Sequence, residues 1–242
     1  MITKAQVKHI RSLEDKKNRR ATGQFVVEGD KMVRELLSSS LRTLEIFATS
    51  DWLEVHANNI PSNTLIHEVS ESMLSSLSFL TTPNKVLALA ALPAGLESEV
   101  RGVSLVLDDI QDPGNMGTLI RTADWFGVKQ IYASPATADA FNPKVVQASM
   151  GSVFRVNISV TDITQLLKEN HKLPAYAAVL GGEDIGKVGK IKEGFIVLGN
   201  ESKGIHPEIL ARCKHKLTIP KHGQAESLNV AVAAGIICQA LL

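Results

Sequence analysis

Three polar clusters in this sequence have the residue types and spacing to do chemistry. The first is Asp112-Pro113-Gly114-Asn115-Met116-Gly117-Thr118-Leu119-Ile120-Arg121. The second is Leu198-Gly199-Asn200-Glu201-Ser202-Lys203-Gly204-Ile205. The third is Ile219-Pro220-Lys221-His222-Gly223-Gln224-Ala225-Glu226-Ser227-Leu228-Asn229-Val230. Each falls at the C-terminal end of an expected strand, where α/β sheets bind their ligands. Glycines in the second allow positive φ and a close approach of ligand to backbone. The third runs into a helix whose first N–H groups and dipole favour a polar or anionic group. Taken singly, each cluster also reads as a turn plus a helix cap, because Asn, Ser, Asp and Gly serve those uses too. Three of them at the strand ends of one sheet point to a site.

Other chemistries fit less well. Gly181-Gly182-Glu183-Asp184-Ile185-Gly186-Lys187 matches G-x-x-x-x-G-K, but Val188 stands where a Ser or Thr hydroxyl would meet magnesium, and no clear helix follows. No G-x-G-x-x-G follows the strand 103–107, and there is no G-x-S-x-G elbow. Cys213 and His215, with His206 and His222 nearby, lack the second ligand pair of a zinc site, so no metal is expected.

The elements that must hold these clusters follow from the apolar pattern. Val103–Leu107, Ile131–Ala133, Phe154–Ile158, Ala175–Leu180, Phe195–Leu198 and Lys216–Ile219 read as buried strands. Helices are expected between them, and a last one over Glu226–Leu242. Nearly continuous apolar strands alternating with helices indicate an α/β fold with a mostly parallel sheet. Before it lies a smaller α/β alternation: a mostly polar helix over 3–20, strands near 25–27, 44–48, 64–69 and 86–92, and helices over 31–37 and 70–77. Pro93-Ala94-Gly95 and the polar stretch after it place a boundary near 93–101, giving domains 1–98 and 99–242.

In order and spacing, the three clusters resemble the signature motifs of the SpoU (TrmH-like) RNA ribose methyltransferases of the SPOUT superfamily. Asn115, Gly117 and Arg121 match N-x-G-x-x-x-R. Asn200, Glu201 and Gly204 match N-E-x-x-G. Ile219, Pro220, Gly223, Ser227, Leu228, Asn229 and Val230 match I-P-x-x-G…S-L-N-V. Gly151-Ser152-Val153-Phe154 resembles the family's connecting segment. Phe25–Gly29 and Pro83-Asn84-Lys85-Val86 resemble its small ribosomal-protein-like RNA-binding domain. Lys221 stands where Met is usual, and Ala231 where Ser is common.

The resemblance implies a deep trefoil knot in the C-terminal domain and a homodimer. It implies S-adenosylmethionine held by Leu198, Gly199, Asn200, Gly204, Ile219 and Leu228, and methyl transfer to a ribose 2′-hydroxyl of rRNA or tRNA. The ribosomal-protein-like first domain leans toward rRNA. In the family this Arg, here Arg121, is often drawn as the base; since a guanidinium scarcely deprotonates, the physical preference is that Arg121 holds the adjacent phosphate and stabilises the emerging alkoxide. Asn115, Glu201, Ser227 and Asn229 would orient the ribose and Arg121.

Charge and composition bound the reading. Apolar residues make up 44% and charged residues 21%, ordinary for a folded globular chain and excluding disorder. The net charge is only +1, but residues 1–20 carry seven cations against two acids. Lys8, Arg11, Lys16, Lys17, Arg19 and Arg20 are therefore candidate phosphate contacts, with no aromatic for base stacking; a solvated helix face is the other reading. As an RNA arm, its deletion would weaken binding and flatten the salt dependence. Two cysteines, no apolar leader and no membrane-length apolar run suggest a cytoplasmic protein without a membrane partner. A non-catalytic RNA-binding protein on the same fold remains the alternative.

Overall fold

The computed structural model describes residues 2–93 and 100–242, so most of the expected linker at 93–101 lies outside the described residues. Among the described residues are ten strands: β1 Gln24–Glu28, β2 Thr43–Ala48, β3 Leu65–Glu68, β4 Val86–Ala91, β5 Val103–Leu107, β6 Gln130–Ala133, β7 Asn157–Val160, β8 Ala175–Asp184, β9 Gly194–Leu198 and β10 His215–Thr218. The α-helices are α1 Lys4–Ser12, α2 Lys16–Thr22, α3 Asp30–Leu37, α4 Ser50–His56, α5 Glu71–Leu77, α6 Pro113–Trp125, α7 Pro143–Ser149, α8 Ile163–Glu169, α9 Pro207–Leu210 and α10 Val230–Leu241.

Packing divides the chain into two compact units: residues 2–93 with 139–154, and residues 100–138 with 155–242. The division is therefore not a single cut near residue 98. The segment 139–154 follows β6 in the chain but packs with the first unit. Its Phe141 and Phe154 rings lie 4.9 and 6.4 Å from Phe25 of β1, and α7 lies against that strand.

The first unit is a four-stranded sheet of order β1-β4-β2-β3, antiparallel except for β2 with β3. Its core includes Val26, Phe47, Leu74, Leu87 and Leu89, together with Ile10 and Leu13 from the basic N-terminal stretch. That stretch is two helices and not one. The chain breaks at Leu13–Asp15, and the Arg19 guanidinium reaches back to the Leu13 and Glu14 carbonyls, both at 2.7 Å. Arg19 is 1% exposed and pairs with Asp139 at 2.6 Å, so it is a core residue and not a phosphate contact. Arg11 is likewise engaged, lying 4.8 Å over the Phe79 ring and donating to the Ser78 carbonyl.

Removing residues 1–20 would thus take out core side chains as well as charge, and would unfold the first unit. Arg19→Ala should lower the stability of this unit by about 3 kcal/mol, because it strands a partly buried Asp139 and two carbonyls. Urea unfolding followed by far-ultraviolet dichroism measures it; a loss under about 1 kcal/mol would refute the structural role.

The second unit is a six-stranded sheet, parallel throughout, in the order β10-β8-β9-β5-β6-β7. Its central strands β5 and β9 are almost wholly buried, as their unbroken apolar sequences require. The stretch 181–187 is the end of β8 and a short 3-10 turn, with the Asp184 side chain accepting from the Gly186 N–H. It is not a phosphate loop opening a helix. Burial pushes the Cys213 and Cys238 thiols up to about 11, and Cys213 donates to the Ile209 carbonyl.

Candidate functional site

All three clusters lie in the second unit and leave the C-terminal ends of β5, β9 and β10. The first becomes the N-terminus of α6. Asp112 caps it, accepting from the Asn115 N–H at 2.7 Å, with Pro113 in the first turn where a missing N–H costs nothing. The third stays irregular longer than its sequence suggests. Residues 219–229 run without helix, and α10 starts only at Val230, because the Asn229 side chain accepts from the Ala231 and Val232 N–H groups at 2.9 and 3.3 Å. β10 is an edge strand three places from β5, a separation of roughly 14 Å. The irregular run carries the chain back over that distance to the first cluster.

There the side chains join. Asn229 Nδ2 donates to Asn115 Oδ1 at 2.8 Å, and Asn115 Nδ2 donates to Glu201 Oε1 at 2.6 Å. With the α10 amides this forms one directed chain: helix N–H, Asn229, Asn115, carboxylate. Each amide donates on one side and accepts on the other, so the bonds polarise one another toward Glu201. Residues 86 and 114 positions apart in sequence are brought into contact. Arg121 lies on the same helix, about 9 Å further along its axis than Asn115. It is exposed, on a stripe with Gly114, Thr118 and Trp125. Ser227 is also exposed. Neither hydrogen-bonds to the Asn115–Glu201–Asn229 chain, so of the five residues proposed for catalysis the fold joins three and leaves two exposed to a ligand.

The second cluster is a tight loop. Asn200 and Gly204 exchange two backbone hydrogen bonds of 3.0 and 2.8 Å. A Cβ at Gly199 would lie 2.4 Å from the backbone of Gly204 and Ile205, so only glycine fits. The Asn200 side chain is spent on the loop. Its Oδ1 accepts from the Ser202 and Lys203 N–H groups, and its Nδ2 donates to the Asp109 carbonyl at 2.8 Å. Asn200 thus shapes the site from within, which leaves backbone groups to meet a ligand. Leu228 is half exposed and Ile219 partly so, giving apolar surface beside those groups. Free backbone, glycine and an uncovered Leu suit the adenosine and methionine parts of S-adenosylmethionine.

A supporting network carries no motif in the sequence. Asp108 is buried and accepts from the His206 N–H at 2.6 Å; burial raises its carboxyl. Asp109 sits at φ 56°, a conformation costly for a residue with a Cβ by ~1–3 kcal/mol. Ser134 holds it there, accepting from its N–H at 2.9 Å and donating to its carboxylate at 2.6 Å. The only signal is two acids immediately after the apolar β5 and a serine immediately after β6. Lys221 and His222 are exposed, and among the described residues no cluster of His, Cys, Asp or Glu suits a metal ion.

Asn229 has two separable jobs. Asn229→Asp keeps the cap oxygen and loses the donor to Asn115, so activity should fall at least about tenfold with stability unchanged. Asn229→Ala should also cost about 1 kcal/mol of stability. Thermal unfolding and single-turnover methylation separate the two, and full activity in the Asp variant would dismiss the directed chain.

The fold joins three loops at the C-terminal end of a parallel sheet, and comparison with known proteins gives its class. Residues 102–239 match the SpoU rRNA Methylase family, and residues 4–88 match the MRM3-like substrate binding domain. The chain belongs to the SpoU family. It is 32% identical over 239 residues to the 23S rRNA (guanosine(2553)-2'-O)-methyltransferase RlmP of Bacillus subtilis, covering 96% of this chain and 94% of that one. Among solved structures, a TrmH-family protein from Porphyromonas gingivalis superposes with a TM-score of 0.90 at 38% identity, covering 99% of this chain and 98% of that one. An AdoMet-bound rRNA methyltransferase from Sinorhizobium meliloti gives 0.88 at 29%, covering 99% and 95%.

Proposed function

We propose that this protein methylates the ribose 2′-hydroxyl of a guanosine in large-subunit ribosomal RNA. As a SpoU-family enzyme it is an S-adenosylmethionine-dependent RNA 2′-O-methyltransferase. The observation that carries the reading is the Glu201–Asn115–Asn229 chain joining the three loops. The rRNA substrate is supported by the likeness to RlmP over nearly the whole chain. Backbone groups of Leu198, Gly199, Ile219 and Leu228 would hold the cofactor, with Gly204 closing the loop. When bound, S-adenosylmethionine supplies a methyl group made electrophilic by a sulfonium.

The protein's task is to make the 2′-oxygen attack. Arg121 keeps its charge at any working pH, so it binds the adjacent phosphate and stabilises negative charge growing on the oxygen. Glu201, held at one oxygen by Asn115, has its other oxygen free to orient the ribose hydroxyl or the guanidinium. Ser227, exposed in the third loop, offers a further hydroxyl to the substrate. The hydroxyl proton leaves to solvent as the new O–C bond forms, and the S–C electron pair stays on sulfur.

One further part of the reading follows from exposed surface. Trp125 is 83% exposed on α6, and Val232 and Ile236 lie uncovered on α10, which packs against it. Such a patch favours a homodimer. A C-terminal trefoil knot is part of the same family reading, as is work in the cytoplasm; no described helix is long and apolar enough to cross a membrane.

Of the N-terminal cations, Lys8, Lys17 and Arg20 are exposed and Lys16 is half-buried. Changing Lys8, Lys17 and Arg20 to Gln should weaken RNA binding and reduce its salt slope by about 0.7 for each phosphate left unneutralised. An unchanged slope in filter binding across salt concentrations would assign them to solvent. The function as a whole is tested by calorimetry with S-adenosylmethionine and by mapping ribose methylation in rRNA from a deletion strain. No cofactor binding would favour a non-catalytic RNA-binding protein.

A further inference from the structure

A cleft of about 340 Å³ opens within the first unit, between β1, the turn after α5, and α7. That is at the lower end of the ~300–1,000 Å³ range of small-ligand sites. Val26 and Ala148 make its walls apolar, Phe79 adds an aromatic ring, and Lys144 and Gln147 of α7 also line it. Glu28 lines it too and is only 6% exposed.

Glu28 is held by two bonds. Ser78 Oγ donates to one carboxylate oxygen at 2.5 Å, and the Phe79 N–H donates to the other at 2.7 Å. Each oxygen has two acceptor positions, so one on each remains. Burial pushes the carboxyl up, while those bonds and the Arg11 charge oppose the shift, and a further pair of donors would oppose it more. Arg11 lies over Phe79, and Lys144 is exposed. An apolar cleft with an aromatic wall, a buried paired acceptor and nearby cations has the chemistry that receives an unstacked base of single-stranded RNA.

The four bases differ in what they show a carboxylate. Guanine has two adjacent donors, N1–H and the N2 amino group, on its Watson–Crick edge. Adenine and cytosine place a donor beside an acceptor, and uracil has one donor between two acceptors. We propose that this cleft takes an unstacked guanine of the substrate RNA, with Glu28 accepting from its N1–H and N2–H. The proposal deepens the RNA methyltransferase reading and rests on it.

The test is fluorescence anisotropy with short labelled oligouridines carrying one central guanosine, inosine or adenosine, with S-adenosylmethionine calorimetry on the same proteins. The guanosine oligomer should bind at least about fivefold more tightly than the adenosine one. Inosine, which lacks the N2 amino group, should fall between. Glu28→Gln should bring guanosine and adenosine within about twofold. Ala148→Phe, which fills the cleft and leaves Glu28 in place, should do the same if Glu28→Gln fails to fold. Equal wild-type affinities with cofactor binding intact overturn the cleft alone, as does a preference that survives in Ala148→Phe. A guanine preference without cofactor binding supports the cleft and overturns the catalytic reading.

Discussion

Gly199→Ala should weaken cofactor binding about thirtyfold while leaving the sheet folded. The added methyl would sit 2.4 Å from the Gly204 carbonyl carbon and the Ile205 nitrogen, both backbone atoms that cannot rotate aside. The loop must open. Opening it costs the paired Asn200–Gly204 backbone bonds and pulls Asn200 from the Asp109 carbonyl. Two such bonds are worth on the order of 2 kcal/mol, about thirtyfold in affinity. Gly223→Ala provides the control, since nothing lies within 4 Å of its added methyl and its backbone is not in the left-handed region. Calorimetric titration with S-adenosylmethionine compares them. Equal affinities would show that the 198–204 loop is not the cofactor loop.

Arg121→Ala should lower turnover by about 10²–10³-fold, the range for losing one group aimed at developing negative charge. Neither cofactor affinity nor thermal stability should change, because the side chain is exposed. Arg121→Lys keeps the charge and loses the fork, so it should recover only part of the rate. Single-turnover rates with saturating RNA separate this from weaker substrate binding. A Lys variant at full rate would reduce the residue to a point charge. An Ala variant at full rate would remove it from the chemistry.

The two substitutions differ in how visible their reasons are in the sequence. Arg121 is legible as a candidate because its type and distance from Asn115 match a motif, and its exposure follows from its place on the polar stripe of α6. The need for glycine at 199 is not legible, because the atoms that exclude a Cβ belong to a loop that closes on itself. Arg19 marks the opposite case. By charge it belongs with the candidate phosphate contacts. Its burial comes from carbonyls left open at the break after α1 and from Asp139, which is 120 residues distant. A local pattern cannot report a partner that far away.

Glu28 shows the same limit on the functional side. In sequence it is one acid at the end of a strand, next to Gly29. Only when Ser78, Phe79 and α7 fold around it does it become a paired acceptor in an apolar cleft. Asp108 and Asp109 likewise carry no motif, yet they anchor the loops that do.

What the sequence determined by itself was the set of local choices: buried parallel strands from unbroken apolar runs, two α/β parts, and polar clusters at the strand ends matching the SpoU motifs. These depend on neighbours a few residues apart, which periodicity and capping report directly. The tertiary structure decided which polar groups meet. It joined Asn229 to Asn115 and Glu201, and it started α10 at Val230. It turned Arg19 inward and moved 139–154 into the first unit. Each of these depends on satisfying a buried polar group or covering an apolar face with a partner distant in the chain, and the fold alone supplies that partner.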